Sequence, residues 1–576
     1  MNAERLLAQF ERISDAPDAI PRLRRFILDL AVRGKLVEQD PEDEPAEELL
    51  GRILELKIRS AGKLPKSDLQ LIDRLFNDEP FALPDSWTWV VLGQITDLIT
   101  SGSRDWAKHY SDSGAIFVRM GNLVKGDYRL RLDSIQHVSP PAGGEGTRTR
   151  LDAWDVLVSI TGDVGMLGLI PEGFGEAYIN QHTALARPCF LLKGRYLPEF
   201  LRSDFAQNQF QEPQRGIKNS FRLSDLSAIV VPLPPLAEQH RIVAKVDELM
   251  ALCDQLEAAR QKREQGRERL LASTLQRLNQ PAEDPASFRK DASFALQVLP
   301  SLTTTSAQIK QLRQTILNLA VRGKLVEQDP EDEPAEELLA RFAEAKIEIK
   351  RATGDARIKV ADDACPDSLP MSLPPTWECQ SFQNLFLFID YRGNTPPKTT
   401  DGVPLITAKN VRMGYLDREP REYVSPQTLV AWMTRGLPRL GDLFFTTEAP
   451  LGNVCINNID EPFALAQRVI CLQPYSEIST RFVMYTLMSS DMQEMIEAQA
   501  TGLTAKGIKA AKLKPLPIPL PPLAEQHRIV AKVDELMALC DQLERQLSQA
   551  DQQRRRLLEA VLAEALGDLE KMLEVA

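Results

Sequence analysis

Arginines and lysines gathered near turn-forming residues are the side chains of this sequence best suited to chemistry. That chemistry is contact with phosphates and base edges. In one stretch they are Arg104 and Lys108, Arg119, Arg148 and Arg150, then Arg215, Lys218 and Arg222 with Asn219 beside them. A second stretch carries Arg392 and Lys398, Lys409 and Arg412, then Lys506, Lys509 and Lys512. Taken singly, each is an ordinary solvated charge. As clusters on two similar stretches, interleaved with Ser, Thr and Asn, they are candidate DNA contacts.

Catalytic signatures are missing. The sequence holds no GxxxxGK[ST] phosphate loop, no HExxH and no GxSxG. Its five histidines are His109, His137, His182, His240 and His527, and the last two open helix-forming runs, where a lone histidine is a surface residue rather than a base. Gly162-Asp163-Val164-Gly165 has the composition of an anion-binding nest but reads better as a turn between strands. No catalytic residue and no metal ligand is assigned. Binding is the class that remains.

The elements that position these side chains follow from composition and repetition. Lysine and arginine number 69 against 81 acidic residues, a net charge of −12 that argues at first against a polyanionic partner. Its distribution reverses that argument. Residues 88–230 hold 15 basic and 15 acidic side chains, and 378–518 hold 14 of each. The acidic excess lies elsewhere, partly in runs such as Glu38 to Glu44, read as solvated loop. The same two stretches contain 27 of the 36 aromatic residues, so they are the globular parts, while the rest has the composition of long helices. No apolar run reaches the roughly 18 residues of a membrane span, and the first residues lack a signal peptide's apolar stretch. Seven scattered cysteines without a CxxC fit reduced thiols and a cytoplasmic location.

Two long repeats organise the chain. PLPPLAEQHRIVAKVDELMALCDQLE occupies 232–257 and returns unchanged at 519–544; LAVRGKLVEQDPEDEPAEELL occupies 30–50 and returns at 319–339. The predicted divisions are a helical segment 1–80, a recognition-type domain 81–231, a central helical region 232–345, a second such domain 346–518 and a terminal helix 519–576. Within the first repeat Ile242, Val246, Leu249, Cys253 and Leu256 recur in steps of four and three, as do Ile529, Val533, Leu536, Cys540 and Leu543. That is the spacing of a coiled-coil seam. The expectation is that the seams pair antiparallel, with packing of each helix on its own globular segment as the alternative. The globular stretches alternate short β runs with Gly, Asn and Asp turns, which predicts mixed α/β (α+β) domains. Identical parts should meet an identical partner twice, and divergent parts should meet different targets.

This layout resembles the specificity subunit of type I restriction-modification systems over nearly the whole chain. The two repeats carry the resemblance, supported by Phe117-Val118-Arg119-Met120-Gly121-Asn122, Val158-Ser159-Ile160-Thr161-Gly162 and Ala177-Tyr178-Ile179-Asn180-Gln181-His182. It implies two target-recognition domains, each reading half of a split site in double-stranded DNA. It also implies helices that dock two methyltransferase subunits, and a motor-nuclease subunit joining that core. S-adenosylmethionine, ATP and Mg would belong to those partners, with no cofactor on this chain. The second stretch departs from the pattern: Thr446-Thr447-Glu448-Ala449-Pro450 stands where the first has Ile160-Thr161-Gly162. Individual contacts therefore do not transfer between the stretches. The competing function is a duplicated coiled-coil scaffold holding two copies of a non-DNA partner.

Overall fold

Short runs that are apolar at every position need cover on both faces, and the computed structural model supplies it twice. It describes residues 16, 18–61, 80–140, 148–211, 220–279, 294–295, 298–299, 301–356, 358–359, 369, 371–391, 395–502 and 506–573. Two units divide the chain, residues 1–263 with 551–576, and residues 264–550.

In the first unit, β1 (Thr88–Val91) pairs antiparallel with β10 (Val230–Leu233), closing the globular stretch where it enters and leaves the helices. Between them lie two four-stranded sheets. One has the order β2-β9-β6-β7, from Thr96–Ser101, Thr183–Pro188, Val156–Ser159 and Leu167–Leu169. The other has the order β3-β5-β4-β8, from Tyr110–Ser111, Gln136–Val138, Ala115–Val118 and Ala177–Ile179. Alternation along β6 explains its uniform apolarity: Val156 and Val158 enter one core with Phe200 and Leu201, while Leu157 enters another with Val118 and Ile179.

The second unit repeats the plan. Strands β11 (Glu378–Ser381) and β19 (Pro517–Leu520) close it. The main sheet is β12-β18-β15-β16, built from Phe386–Asp390, Val469–Pro474, Leu443–Thr446 and Val454–Ile456. A smaller sheet orders β14 (Tyr423–Val424), β13 (Val403–Ile406) and β17 (Ala464–Leu465). Leu443 and Phe445 face one core and Phe444 the other.

The identical repeats clasp each other within each unit. Arg241 on the first long helix (Leu236–Asn279) holds Asp43 through two bonds of 3.2 and 2.6 Å; Arg528 on the second (Leu523–Leu573) holds Asp332 at 3.0 and 2.6 Å. Arg24 bridges Asp254 and Glu257, and Arg313 bridges Asp541 and Glu544. Glu238 accepts from Trp87 Nε1 at 2.9 Å and from Gln39 at 2.6 Å. Burial raises the Glu238 carboxyl above the usual range, against those two donors. The acidic run read as solvated loop thus supplies a structural partner in Asp43. Gly34 (φ +66°) turns the chain between these contacts, where a Cβ would come within 2.4 Å of Pro84; Gly323 (φ +65°) repeats this against Pro374 at 2.3 Å.

Two expectations are corrected. Ile242, Val246 and Cys253 are buried in the core of the first unit, with Leu249 and Leu256 against it; Ile529, Val533 and Cys540 do the same in the second, with Leu536 and Leu543. These seams pack on their own unit, because the apolar faces of the helices Ala19–Val32 (Ile20, Leu23, Ile27) and Ser306–Val321 (Ile309, Ile316, Ala320) need cover there. Further along, Leu271, Leu275 and Leu278 of the first helix pack in the second unit against Leu299 and Leu302, and Leu558 and Val561 of the second helix pack in the first unit against Ala16 and Ala19. The thiols also differ from expectation. Cys189, Cys253, Cys455, Cys471 and Cys540 are free and buried, but Cys379 is disulfide-bonded. Among the described residues no helix is long and apolar enough to cross a membrane.

Candidate nucleic-acid interface

Parallel pairing decides where the variable turns meet. Strands β4 and β8 run parallel, Ile116 opposite Ala177 and Val118 opposite Ile179. Both therefore deliver their following turns, 119–122 and 180–182, to one end of the domain. Strand β6 brings a third turn there, since Ser159 pairs with Thr183 and Thr161 bridges Ser220. Gly102 lets the chain after β2 pass against this end, donating its N–H to the Asn180 carbonyl at 3.2 Å. A Cβ on Gly102 would come within 2.0 Å of the Ile179 oxygen.

Asn122 fixes the first turn. Its Oδ1 accepts from the Arg119 N–H at 2.9 Å, and its Nδ2 donates to the carbonyls of Arg131 (2.9 Å) and Ser134 (3.1 Å). A cleft of about 390 Å³ results, lined by Arg119, Asn122, Arg131, Asp133, Asn180 and His182 among others. At its side Thr161 Oγ1 lies 2.8 Å from His182 Nδ1, and Gln181 Nε2 lies 2.9 Å from His182 Nε2. Such a surface offers donors and acceptors in several directions, as base-edge readout requires.

The second domain rebuilds the framework with other side chains. Strands β13 and β17 are parallel, Leu405 opposite Ala464, so 407–410 and 466–468 meet at one end. Asn410 repeats the clamp, accepting from the Thr407 N–H at 2.9 Å and donating to the carbonyls of Asp417 and Pro420 at 3.1 Å each. The Ile160 N–H donates to the His182 carbonyl at 3.0 Å, and the Thr447 N–H donates to the Arg468 carbonyl at the same distance. The Thr161–Ser220 bridge becomes Glu448–Gly507. Where the first domain places Thr161 against His182, the second places Glu448 against Arg468, with Oε1 2.6 Å from Nε. The divergent Thr446–Pro450 phrase thus changes the side chains while keeping these backbone hydrogen bonds.

The predicted basic residues separate into groups. Arg119 lines the cleft; Arg104 and Lys108 are exposed after the Gly102 passage. Arg222 and Lys509 hold matching positions before short helices, Leu223–Ser227 and Ala510–Leu513, and both are exposed, as is Lys512. Lys398 and Lys409 both reach Glu422, at 2.6 and 4.0 Å, Arg412 lies 3.5 Å from Asp417, and Lys506 pairs with Glu497. Arg148 and Arg150 are exposed and lie apart from the cleft: the following Leu151 donates to Ala177 at the start of β8, the end away from it. Arg215, Lys218, Asn219 and Arg392 lie outside the described residues. Sequence reasoning missed Arg131, Thr161, His182, Glu448 and Arg468 as site residues. Aligning Asn180-Gln181-His182 with Ala466-Gln467-Arg468 through the shared glutamine was the available signal.

Each domain is tied to its long helix by a charged network. Arg195 grips Asp247 at 2.7 and 2.5 Å and donates to Tyr128 at 2.7 Å. In the second unit Arg481 meets Asp534 at 3.0 Å and Tyr485 at 3.3 Å. Burial and the neighbouring Asp534 push the Tyr485 phenol up to about 12, so it stays a donor at neutral pH. Among the described residues no group of three or more His, Cys, Asp and Glu side chains could hold a metal ion.

The family described as Type I restriction modification DNA specificity domain matches residues 84–264 and 425–550. The type I restriction enzyme EcoAI specificity subunit of Escherichia coli is 28% identical over 569 residues, 95% of this chain and 94% of the relative. The EcoEI specificity subunit of Escherichia coli is 29% identical, covering 95% and 94%. Among solved structures, the HsdS subunit from Thermoanaerobacter tengcongensis is 21% identical, covering 85% of this chain and 98% of that one, with a TM-score of 0.44.

Proposed function

The chain belongs to the type I restriction-modification DNA specificity family, and from that premise we propose how its two domains and two long helices divide the work. It is the non-catalytic subunit that gives a restriction-modification complex its DNA sequence specificity. Each recognition domain reads one half of a bipartite, asymmetric site in double-stranded DNA through the turn cluster at the end of its parallel strand pair. The observation that carries this reading is one backbone framework bearing different side chains: His182 with Thr161 in one domain, Arg468 with Glu448 in the other. Shared geometry presents the turns alike, and different donors and acceptors select different bases.

The partners of this subunit are DNA and the other subunits of the complex. In finer detail, the exposed faces of the long helices dock two methyltransferase subunits, which a motor-nuclease subunit joins. S-adenosylmethionine, ATP and Mg act on those partners, in the cytoplasm. Identical helix sequences support two equivalent docking events, although part of that identity serves the clasp within each unit.

Replacing residues 88–230 by the equivalent stretch of a relative, in the assembled complex, tests the division. Sequencing of methylated adenines should show one half-site changed and the other retained. A simultaneous change of both halves refutes the two-reader assignment.

A further inference from the structure

Arg468 stands at the turn cluster of the second domain and is held there by a carboxylate. Glu448 Oε1 engages its Nε at 2.6 Å, while the side chain remains half exposed at 49%. A guanidinium carries five N–H donors in a planar fork. With Nε occupied, the two terminal nitrogens of this half-exposed side chain remain as a pair of nearly parallel donors. Two acceptors side by side on an uncharged surface match that fork, and the guanine edge in the major groove presents such a pair at O6 and N7.

Charge argues the same way. The pair Arg468–Glu448 is close to neutral, so a phosphate approaching it would meet the carboxylate as well as the guanidinium. A base edge without net charge meets no such repulsion. Glu448 is itself fixed, because its backbone bridges Gly507, where a Cβ would sit 3.1 Å from the Glu448 Cβ. The buttress reduces the rotamer freedom that Arg468 would otherwise lose on binding.

We infer that Arg468, oriented by Glu448, reads a guanine in the half-site of the second recognition domain. This rests on the assignment of the chain as a DNA specificity subunit and adds the residue and the base. The sister domain presents an imidazole, not a guanidinium fork, at this place. Both ring nitrogens of His182 are engaged, by Thr161 at 2.8 Å and by Gln181 at 2.9 Å. The two half-sites therefore differ at the position served by this turn.

The test uses the full methyltransferase complex and selection of bound sequences from randomised duplex DNA. The wild type should select a bipartite motif with a guanine preferred roughly tenfold to a hundredfold at one position of one half, the discrimination of a bidentate contact. Arg468→Lys keeps the charge and removes the fork, so that preference should fall below about threefold. Glu448→Gln should reduce it to an intermediate value. The other half of the motif should persist in both variants, which also certifies a folded complex. An unchanged motif in Arg468→Lys overturns the inference and makes the residue a phosphate contact, as does a loss spread evenly over all positions. Wild-type complex that selects no motif refutes the underlying specificity assignment instead.

Discussion

Removing Arg241 or Asp43 tests whether the repeats persist because they fit each other. Arg241 is 36% exposed and Asp43 9%, joined through two bonds. Fully exposed ion pairs couple by about 0.2–1 kcal/mol. One-sided removal of a fully buried pair costs about 3–5 kcal/mol. This pair lies between those limits, so a double-mutant cycle with alanine should give a coupling of about 1–2 kcal/mol, near a tenfold change in the folding equilibrium. The single variants should be unequal. Arg241→Ala strands a carboxylate that is almost inaccessible to water, whereas Asp43→Ala strands a guanidinium that can reach solvent, so the former costs more. Urea denaturation followed by tryptophan fluorescence reads both, with Trp87 packed beside Glu238 as a local reporter. Arg528 and Asp332 provide an internal replicate, 37% and 8% exposed with the same bidentate geometry. Their coupling should agree with the first within about 0.5 kcal/mol. A coupling below about 0.5 kcal/mol in both copies would refute the clasp as a stabilising interaction.

Other predictions follow from single sites. Burial raises the Asp442 carboxyl, more strongly than the donors from Arg439 and Gln473 lower it. Its folded pKa therefore exceeds the unfolded value of about 3.9, and the stability it contributes falls as pH rises through that folded value. Asp442→Asn should flatten the corresponding part of a urea-midpoint profile against pH. Gly34→Ala and Gly323→Ala force a Cβ into Pro84 and Pro374 at a left-handed backbone, and each should lower stability by about 2 kcal/mol or more in denaturant titrations. Gly266, inside the first long helix, has nothing within 4 Å of its Cβ position; Gly266→Ala should raise the unfolding midpoint by the equivalent of about 0.5–1 kcal/mol. The purified chain alone should transfer no methyl group from S-adenosylmethionine to DNA; transfer at a rate independent of further purification would contradict its role as a specificity subunit.

Duplication and the course of the two long helices were determined by the sequence itself. Those features depend on patterns close along the chain: repeats of identical residues, apolar steps of three and four, and prolines that open a helix. The identity of the basic clusters was equally legible, because composition requires no folding. Tertiary structure decided what each pattern faces. Ile242 and Ile529 carry a seam spacing that serves a coiled coil or a domain core equally well, and only the proximity of Ile20 and Ile309 selected the core. Asp43 reads as a solvated acid until Arg241, 198 residues away, arrives beside it. Arg148 and Arg150 looked equivalent to Arg119, yet strand pairing puts them by the start of β8 and Arg119 by the turn that follows β4, next to the end of β8. The site depends on which turns converge, and turns converge through strand pairing between residues remote in sequence. His182 and Arg468 become counterparts only after that pairing places each beside Thr161 or Glu448. A local pattern names the residue types; long-range hydrogen bonding chooses their neighbours.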